Sequence, residues 1–352
     1  MGAHAARLGT SADAQLSTRA RLLLGSIAAA FPDVDFIGFL VDPLRFLAHW
    51  HQGPTHSLFL LPFWALLLAT AWCAATRRWQ AFREAVVVCG LGLASHIVLD
   101  VITVYGTQVL YPFSDRRFSL GTTFVIDPLF TAIIAISLAA SLRSGGRRIA
   151  AIGLLLLGVY VGMQWLLRLQ ALRLASEAAH HQVIERGPVT ALPQPFSPFN
   201  WKLVATQPQG LRVAHVNLVG HPALVPPLAG LARWHAIARA YAPPQRLVWE
   251  RRSLFGDEPQ VRALAQPLWQ RPDFAAFRHF AIHPALSRAD LGEQSRCVWF
   301  TDLRYDLPGL PDTFRYGYCQ VPSGAPWQLF RLRYFTRDGL QPLSVPGSVE
   351  RG

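Results

Sequence analysis

Uncharged apolar runs crowd the first half of the chain and thin out in the second. Residues 57–76 (SLFLLPFWALLLATAWCAAT) carry no charge, a run long enough to cross a bilayer core as a helix. Residues 149–167 form a second clean span. Residues 85–104 are apolar but hold His96 and Asp100, and residues 118–142 hold Asp127 followed by Pro128. Both are expected to span as well. The run Leu22–Phe31 is too short to cross alone and is expected to be a half-span or a buried helix. Arginines orient the spans. Arg77, Arg78 and Arg83 lie in one loop, and Arg143, Arg147 and Arg148 in another, so both loops are expected to be cytoplasmic. The connections 32–56 and 105–121 then face outside, together with everything after the last span. Arg116 and Arg117, beside Asp115 in the second outer connection, weaken that asymmetry. Met1–Ser17 has no apolar core of the signal-peptide type, so the first spans are expected to direct insertion.

Beyond Arg168 the pattern changes. Residues 168–186 read as a helix continuing out of the membrane, and 187–200 (GPVTALPQPFSPFN), rich in proline, as a linker. Strand-like alternation follows at 211–219, 297–305, 314–321 and 328–335, with a helical patch at about 258–281. The fold class expected is an α-helical polytopic membrane domain over 1–186, then a small α+β extracytoplasmic domain over 201–352 with a mainly antiparallel sheet. The Trp and Arg content of that domain suits a surface against lipid headgroups. A structural cap accounts for it equally well.

Composition sharpens this picture. Hydrophobic residues make up 51% and charged residues 15%, with a mean hydropathy of +0.24, which argues against disorder, a coiled coil or a charged nucleic-acid scaffold. The net charge of +12 comes almost wholly from arginine, and Lys202 is the sole lysine, a bias expected of a GC-rich genome. In a membrane chain such basicity suits anionic lipid rather than a specific nucleic acid. Of four cysteines, Cys73 and Cys89 sit in apolar runs and are expected only to pack. Cys297 and Cys319 can pair if their domain lies outside the cytoplasm, or sit as free neighbours in one sheet.

Four polar clusters interrupt the apolar half: Pro32-Asp33-Val34-Asp35, His49-Trp50-His51-Gln52-Gly53-Pro54-Thr55-His56-Ser57, Ser95-His96 with Asp100 and Thr103, and Asp127-Pro128. His96 and Asp100 are one helical turn apart and share a face. Inside a span they are costly in lipid, and a bound cation offsets the cost. Asp33 and Asp35 follow a proline on an irregular segment from which both can reach one cation. His51 and His56 flank a Gly-Pro turn. The expected topology brings all seven of these ligand-type residues to one membrane face. Mixed His and carboxylate donors without Cys suit Zn²⁺, with Mn²⁺ or Fe as alternatives, and seven groups could hold more than one ion. Blander readings stand beside this. Asp127-Pro128 also reads as a helix cap. His49 reads as a neighbour rather than a ligand, and Arg116 and Arg117 as interfacial anchors.

The ordered motifs resemble the YdjM-like family of inner-membrane metal-dependent hydrolases. The resemblance rests on Pro32-Asp33-Asp35, on His51-Gly53-Thr55-His56-Ser57, and on Ser95-His96-Asp100-Thr103. Asp115-Arg116-Arg117 and Asp127-Pro128 are similar to a longer subgroup with a C-terminal domain. The likeness is good over about residues 20–170 and weak beyond, through features such as Asp302-Leu303-Arg304-Tyr305. Gln52 stands where the family usually has Arg, which removes a cation that could touch an anionic substrate. The opening GAHAARLG reads like the end of the family's first amphipathic helix, so that helix is expected to be truncated; the alternative is that His4 plays no part. The family is also distantly similar to zinc-dependent phospholipase C and P1-type nucleases, which points by analogy to phosphoesters.

These features imply a multi-pass protein of the bacterial inner membrane acting on a phosphoester or lipid-linked substrate. A divalent metal would be held by Asp33, Asp35, His51, His56, His96 and Asp100. A carboxylate not fully engaged, Asp35 or Asp127, would act as general base, and Arg116 and Arg117 would bind the phosphate. Two other classes compete: an ion- or proton-coupled transporter, and a non-catalytic scaffold with a structural metal.

Overall fold

A computed structural model describes residues 1, 15–143, 146–181, 184–195, 197–220, 237, 239–334, 336 and 339–343. His4 lies outside the described residues. The chain forms two compact units. One comprises Met1–Gly38 and Trp50–Leu166, the other Phe39–His49 and Leu167–Gly352.

In the first unit, α1 (Thr18–Ala30) starts at Ser17, whose hydroxyl accepts from the Ala20 amide as an N-cap. Pro32 then opens a 3₁₀ turn over Phe31–Phe36, and helical backbone resumes at Ile37–Val41. The expectation of a run too short to cross is therefore corrected. Thr18–Val41 makes a continuous apolar stretch of 24 residues, because the turn holding Asp33 and Asp35 bridges two helical pieces. Helix α2 (Leu61–Thr76) ends on Arg77 in the left-handed conformation. Helix α3 (Phe82–Ile102) holds His96 and Asp100 in its last two turns. The span expected over 118–142 is shortened to α4 (Pro128–Arg143), since Asp127 caps that helix and residues 103–127 loop before it. Helix α5 (Gly146–His180) includes the last expected span and continues beyond it. Among the described residues, three helices are long and apolar enough to cross a membrane. A fourth counts if α2 is joined to the broken helical turns before it.

Helices α1 and α3 lie side by side and run in the same direction. Arg21 pairs with Glu84 at one end, Gly92 meets Gly25 and Ala28 in the middle, and Ala29 meets His96 at the other. Small residues let the two backbones approach, as membrane helices require. A methyl group on Gly92 would stand 2.7 Å from the Gly25 carbonyl oxygen. Glu84 also accepts from the amides of Gln15 and Leu16, which ties the two residues before Ser17 to α3. Helix α2 packs its Ala65, Ala69 and Cys73 against Val88 and Cys89 of α3, so both cysteines are buried and free.

The second unit contains two antiparallel sheets. The first orders β1 (Val189–Pro193), β2 (Asn200–Gln207), β3 (Gly210–Asn217) and β4 (Glu250–Arg252). Trp201, Leu203, Ala214 and Val216 on one face of it pack with Ala171 and Ala175 of α5. The segment 187–200, expected to be a linker, thus contains a paired strand. Its prolines sit at the strand's end and beside it, where no ladder amide is needed. After α6 (Pro259–Gln270) and α7 (Ala275–Phe280) comes a second sheet of β5 (Pro284–Leu291), β6 (Arg296–Asp302), β7 (Tyr316–Gln320), β8 (Gln328–Leu332) and β9 (Leu340–Pro342). Phe274, Phe277, Phe300, Tyr316 and Tyr318 form its aromatic core. Cys297 and Cys319 are register partners on β6 and β7 and form a disulfide.

Candidate metal centre

Three separate pieces of the first unit supply the centre. The 3₁₀ turn after α1 presents Asp33 and Asp35. A second 3₁₀ turn, Pro54–His56, presents His56, and the end of α3 presents His96 and Asp100. The His96 Nε2 stands 3.2 Å from the His56 Nε2 and 3.6 Å from the Asp33 Oδ1. The Asp100 Oδ2 stands 3.0 Å from the His56 Nε2 and 3.3 Å from the His96 Nε2. The Asp33 Oδ1 lies 4.0 Å from the His56 Nε2. A tetrahedral ion with bonds of about 2.0–2.1 Å would set its donors about 3.3 Å apart.

Hydrogen bonding fixes which ring nitrogens face inward. The His96 Nδ1 donates to the Ala29 carbonyl at 2.6 Å, so its Nε2 carries a lone pair. The His56 Nδ1 lies 3.0 Å from the Thr55 hydroxyl, which in turn donates to the Asp35 Oδ2 at 3.5 Å. That relay leaves the His56 Nε2 as an acceptor too. Asp100 Oδ2 is buried without a hydrogen bond despite its close approach to both rings. With both rings neutral, four acceptor atoms converge on one another. Such an arrangement is costly when empty and is relieved by a cation. The residues fit a divalent ion, and donor atoms of Asp33, His56 and His96 all lie within 4.8 Å of one another. His56 is fully buried, whereas the Asp33 side chain is half exposed and forms the open side.

The structure sorts the other expected site residues. Asp35 and His51 lie beside the cluster and engage each other. The His51 Nδ1 approaches the two Asp35 oxygens at 3.2 and 3.3 Å, and the Gln52 amide donates to Asp35 at 3.1 Å. Asp35 thus braces His51 directly and His56 through Thr55. Asp127 is committed as a helix cap. Its Oδ1 accepts from the amides of Leu129 and Phe130, and its Oδ2 accepts from the Tyr160 hydroxyl at 2.6 Å. Arg117 clamps backbone: its Nη1 donates to the carbonyls of His51 and Gly106, and its guanidinium lies over Tyr105. Arg116 is exposed over the Phe118 ring. Gln52 has a positive φ of 56°, and its buried side chain accepts from Thr107, so it points into the 103–127 loop. His49 belongs to the other unit and stacks on His279 there.

The sequence assigns no role to Thr55 or to the Ala29 carbonyl. Thr55 lay within the His-Ser motif and carried a signal. A backbone carbonyl carries none.

Apolar helices with His and Asp donors gathered at their ends define a polytopic membrane protein with a candidate metal centre. The family model described as YdjM inner membrane protein matches residues 1–171, just under half of the chain. The chain is similar to a protein of Bacillus subtilis (strain 168), the uncharacterized protein YfhP, at 24% identity over 154 residues. The matched part is 43% of this chain and 46% of YfhP, so the chain spans about half the length of that relative. No solved structure matches the chain.

Proposed function

We propose that the chain is a membrane-bound, metal-dependent hydrolase of phosphoester or lipid-linked substrates. The observation that carries this reading is the convergence of the His56 and His96 Nε2 atoms with carboxylate oxygens of Asp100 and Asp33 around one open point. Two imidazoles with carboxylates suit Zn²⁺ first, then Mn²⁺ or Fe. A divalent ion held there supplies Lewis acidity and lowers the pKa of a coordinated water toward neutrality.

The remaining work falls to the chain. His56, His96 and Asp100 form the buried wall, and Asp35 with Thr55 fixes the His56 ring. Sequence placed the general base at Asp35 or Asp127, but both carboxylates are committed to hydrogen bonds. The half-exposed Asp33 is the carboxylate left to take up a proton, at its outer oxygen. Val34, Phe36 and Ile37, exposed on the same turn and just after it, favour an amphiphilic substrate approaching from lipid. Arg116 is the exposed cation of the pair first expected to meet a phosphate. The disulfide of Cys297 and Cys319 and the arginine-rich loops support an extracytoplasmic C-terminal domain.

Metal content of the detergent-purified chain tests the reading, with wild type beside His56→Ala and His96→Ala. One or more ions per chain, lost in both variants, together with hydrolysis of p-nitrophenyl phosphate or a phosphatidic acid, is the expected result. No metal in wild type after reconstitution would overturn the reading. Tightly bound metal without hydrolysis of any phosphoester would leave a structural centre.

A further inference from the structure

The second unit contains an arginine-lined cleft of about 610 Å³ where α5 ends over the first sheet. The helix covers the sheet face as far as Ala175, and beyond it the same face continues with Arg212. Arg186, Arg212 and Arg251 line the cleft with His180 and Glu185. Arg212 and Arg251 are register partners on β3 and β4, so two like charges stand directly opposite on one face. Such a pair is destabilising in a sheet. The next pair shows the ordinary solution: Arg252, opposite Leu211, meets the Asp306 carboxylate at 3.4 Å. The side chains of Arg212 and Arg186 make no hydrogen bond or ion pair among the described residues. Arg251 reaches only an exposed Asp257 at 3.6 Å and a backbone carbonyl, and surface pairs of that kind contribute little. Glu185 also lines the cleft but forms no ion pair with any of the three among the described residues.

The rim is nonetheless built. The Gln207 side chain accepts from the Glu185 amide and donates to the Glu185 carbonyl, which fixes the backbone next to Arg186 on the end of β2. Gly187 allows that approach, since a Cβ there would stand 2.5 Å from the Thr206 carbonyl oxygen. Uncompensated like charges on a rigid frame mark a place where local stability is given up for a ligand. The planar guanidinium fork makes bidentate contacts to oxyanions such as carboxylate and phosphate.

We propose that this cleft binds a phosphate-type oxyanion, carried by a soluble phosphomonoester or by a lipid headgroup, through Arg186, Arg212 and Arg251. The site is independent of the His and Asp centre.

Calorimetric titration of the full chain in non-ionic detergent tests it, with EDTA present to keep the other centre metal-free. The probes are inorganic phosphate and dihexanoyl phosphatidic acid. Wild type is expected to bind at least one of them saturably, and Arg212→Thr to weaken that binding about tenfold or more. Arg212→Lys is expected to retain part of it. Removing one of two opposed charges should also leave the phosphate-free Tm unchanged or raised. Tighter binding of phosphatidic acid assigns the site to a headgroup, and equal or tighter binding of phosphate assigns it to a soluble ester. No binding of either probe by wild type would overturn the proposal, as would undiminished binding by Arg212→Thr. A lowered Tm in that variant would do the same, because it would mark Arg212 as a cap on the carbonyls at the end of α5. If Arg212→Thr fails to fold, Arg251→Thr on the exposed side of the pair is read by the same criteria.

Discussion

Gly92→Ala should weaken metal binding although Gly92 touches no ligand. The added methyl group would lie 2.7 Å from the Gly25 carbonyl oxygen, 2.9 Å from the Ala28 Cβ and 3.1 Å from the Ala29 amide. Relief to ordinary contact requires α1 and α3 to part by about 0.3–0.7 Å, a distance comparable to the tolerance of a preorganised site. The first interaction to stretch is the bond from the His96 Nδ1 to the Ala29 carbonyl, one turn further along the same helix pair. That bond aims the His96 Nε2, and loss of such a supporting bond costs about 10–100-fold in metal affinity. Overpacking itself should cost about 1–3 kcal/mol. Competition with a metal-indicator dye on the detergent-purified variant, with circular dichroism to confirm helix content, reads both effects. A folded Gly92→Ala protein whose affinity stays within about twofold of wild type would refute the link between helix spacing and ligand aim.

Other consequences follow in the second unit. Lys202 is fully buried and its ammonium donates to the carbonyls of Leu303 and Asp306; burial lowers its pKa. Lys202→Met should cost about 1–3 kcal/mol for each carbonyl stranded, and an amine reagent should label Lys202 only after unfolding, as mass spectrometry would show. His215 is held down to about 4 by burial and by the Lys202 cation. Its folded pKa lies below the unfolded 6.5, so its contribution is complete above that pH and is lost as pH falls toward 4. The loss is roughly 3 kcal/mol from this site, with His283, also lowered by burial, titrating in the same sense. Urea denaturation of the second unit in that window should steepen with acid, and His215→Phe should flatten it. Removing the disulfide by Cys297→Ser with Cys319→Ser should cost roughly 3 kcal/mol, read as a lower urea midpoint.

The apolar half was readable because charge is costly in lipid. His96 and Asp100 stood out against their span, and the structure places both in the cluster. The strands at 297–305 and 314–321 were legible from alternation, whereas β1 was not, because four prolines disguised a strand pairing at the edge of its sheet. Composition alone gives no hint of the place of Lys202. The protein uses arginine elsewhere, and this interior position holds a compact ammonium that reaches two carbonyls where a planar fork would need more space. The segment Phe39–His49 shows a further limit. It lies between Asp35 and His51 in sequence yet belongs to the second unit, with Phe39 against Arg331 and Tyr334. Membership of that kind is set by long-range packing and leaves no local pattern.

The division of labour between Asp33 and Asp35 follows from the turn that carries them. In a 3₁₀ turn, with three residues per turn, side chains two apart point about 120° away from each other. The two carboxylates therefore cannot both face one point, although an irregular segment would have allowed it. Pro32, which has no N–H, cannot continue the hydrogen-bond ladder of α1, and in the 3₁₀ turn that follows Asp33 faces the His56 and His96 nitrogens while Asp35 turns to His51 and the amide of Gln52. The same logic separates the histidines. The Gly53-Pro54 turn aims His56 inward and leaves His51 beside Asp35, held from behind by Arg117. Six residues of ligand type thus resolve into four that converge on a point and two that hold them there. The residue types were visible in the sequence, and the roles were decided by backbone geometry.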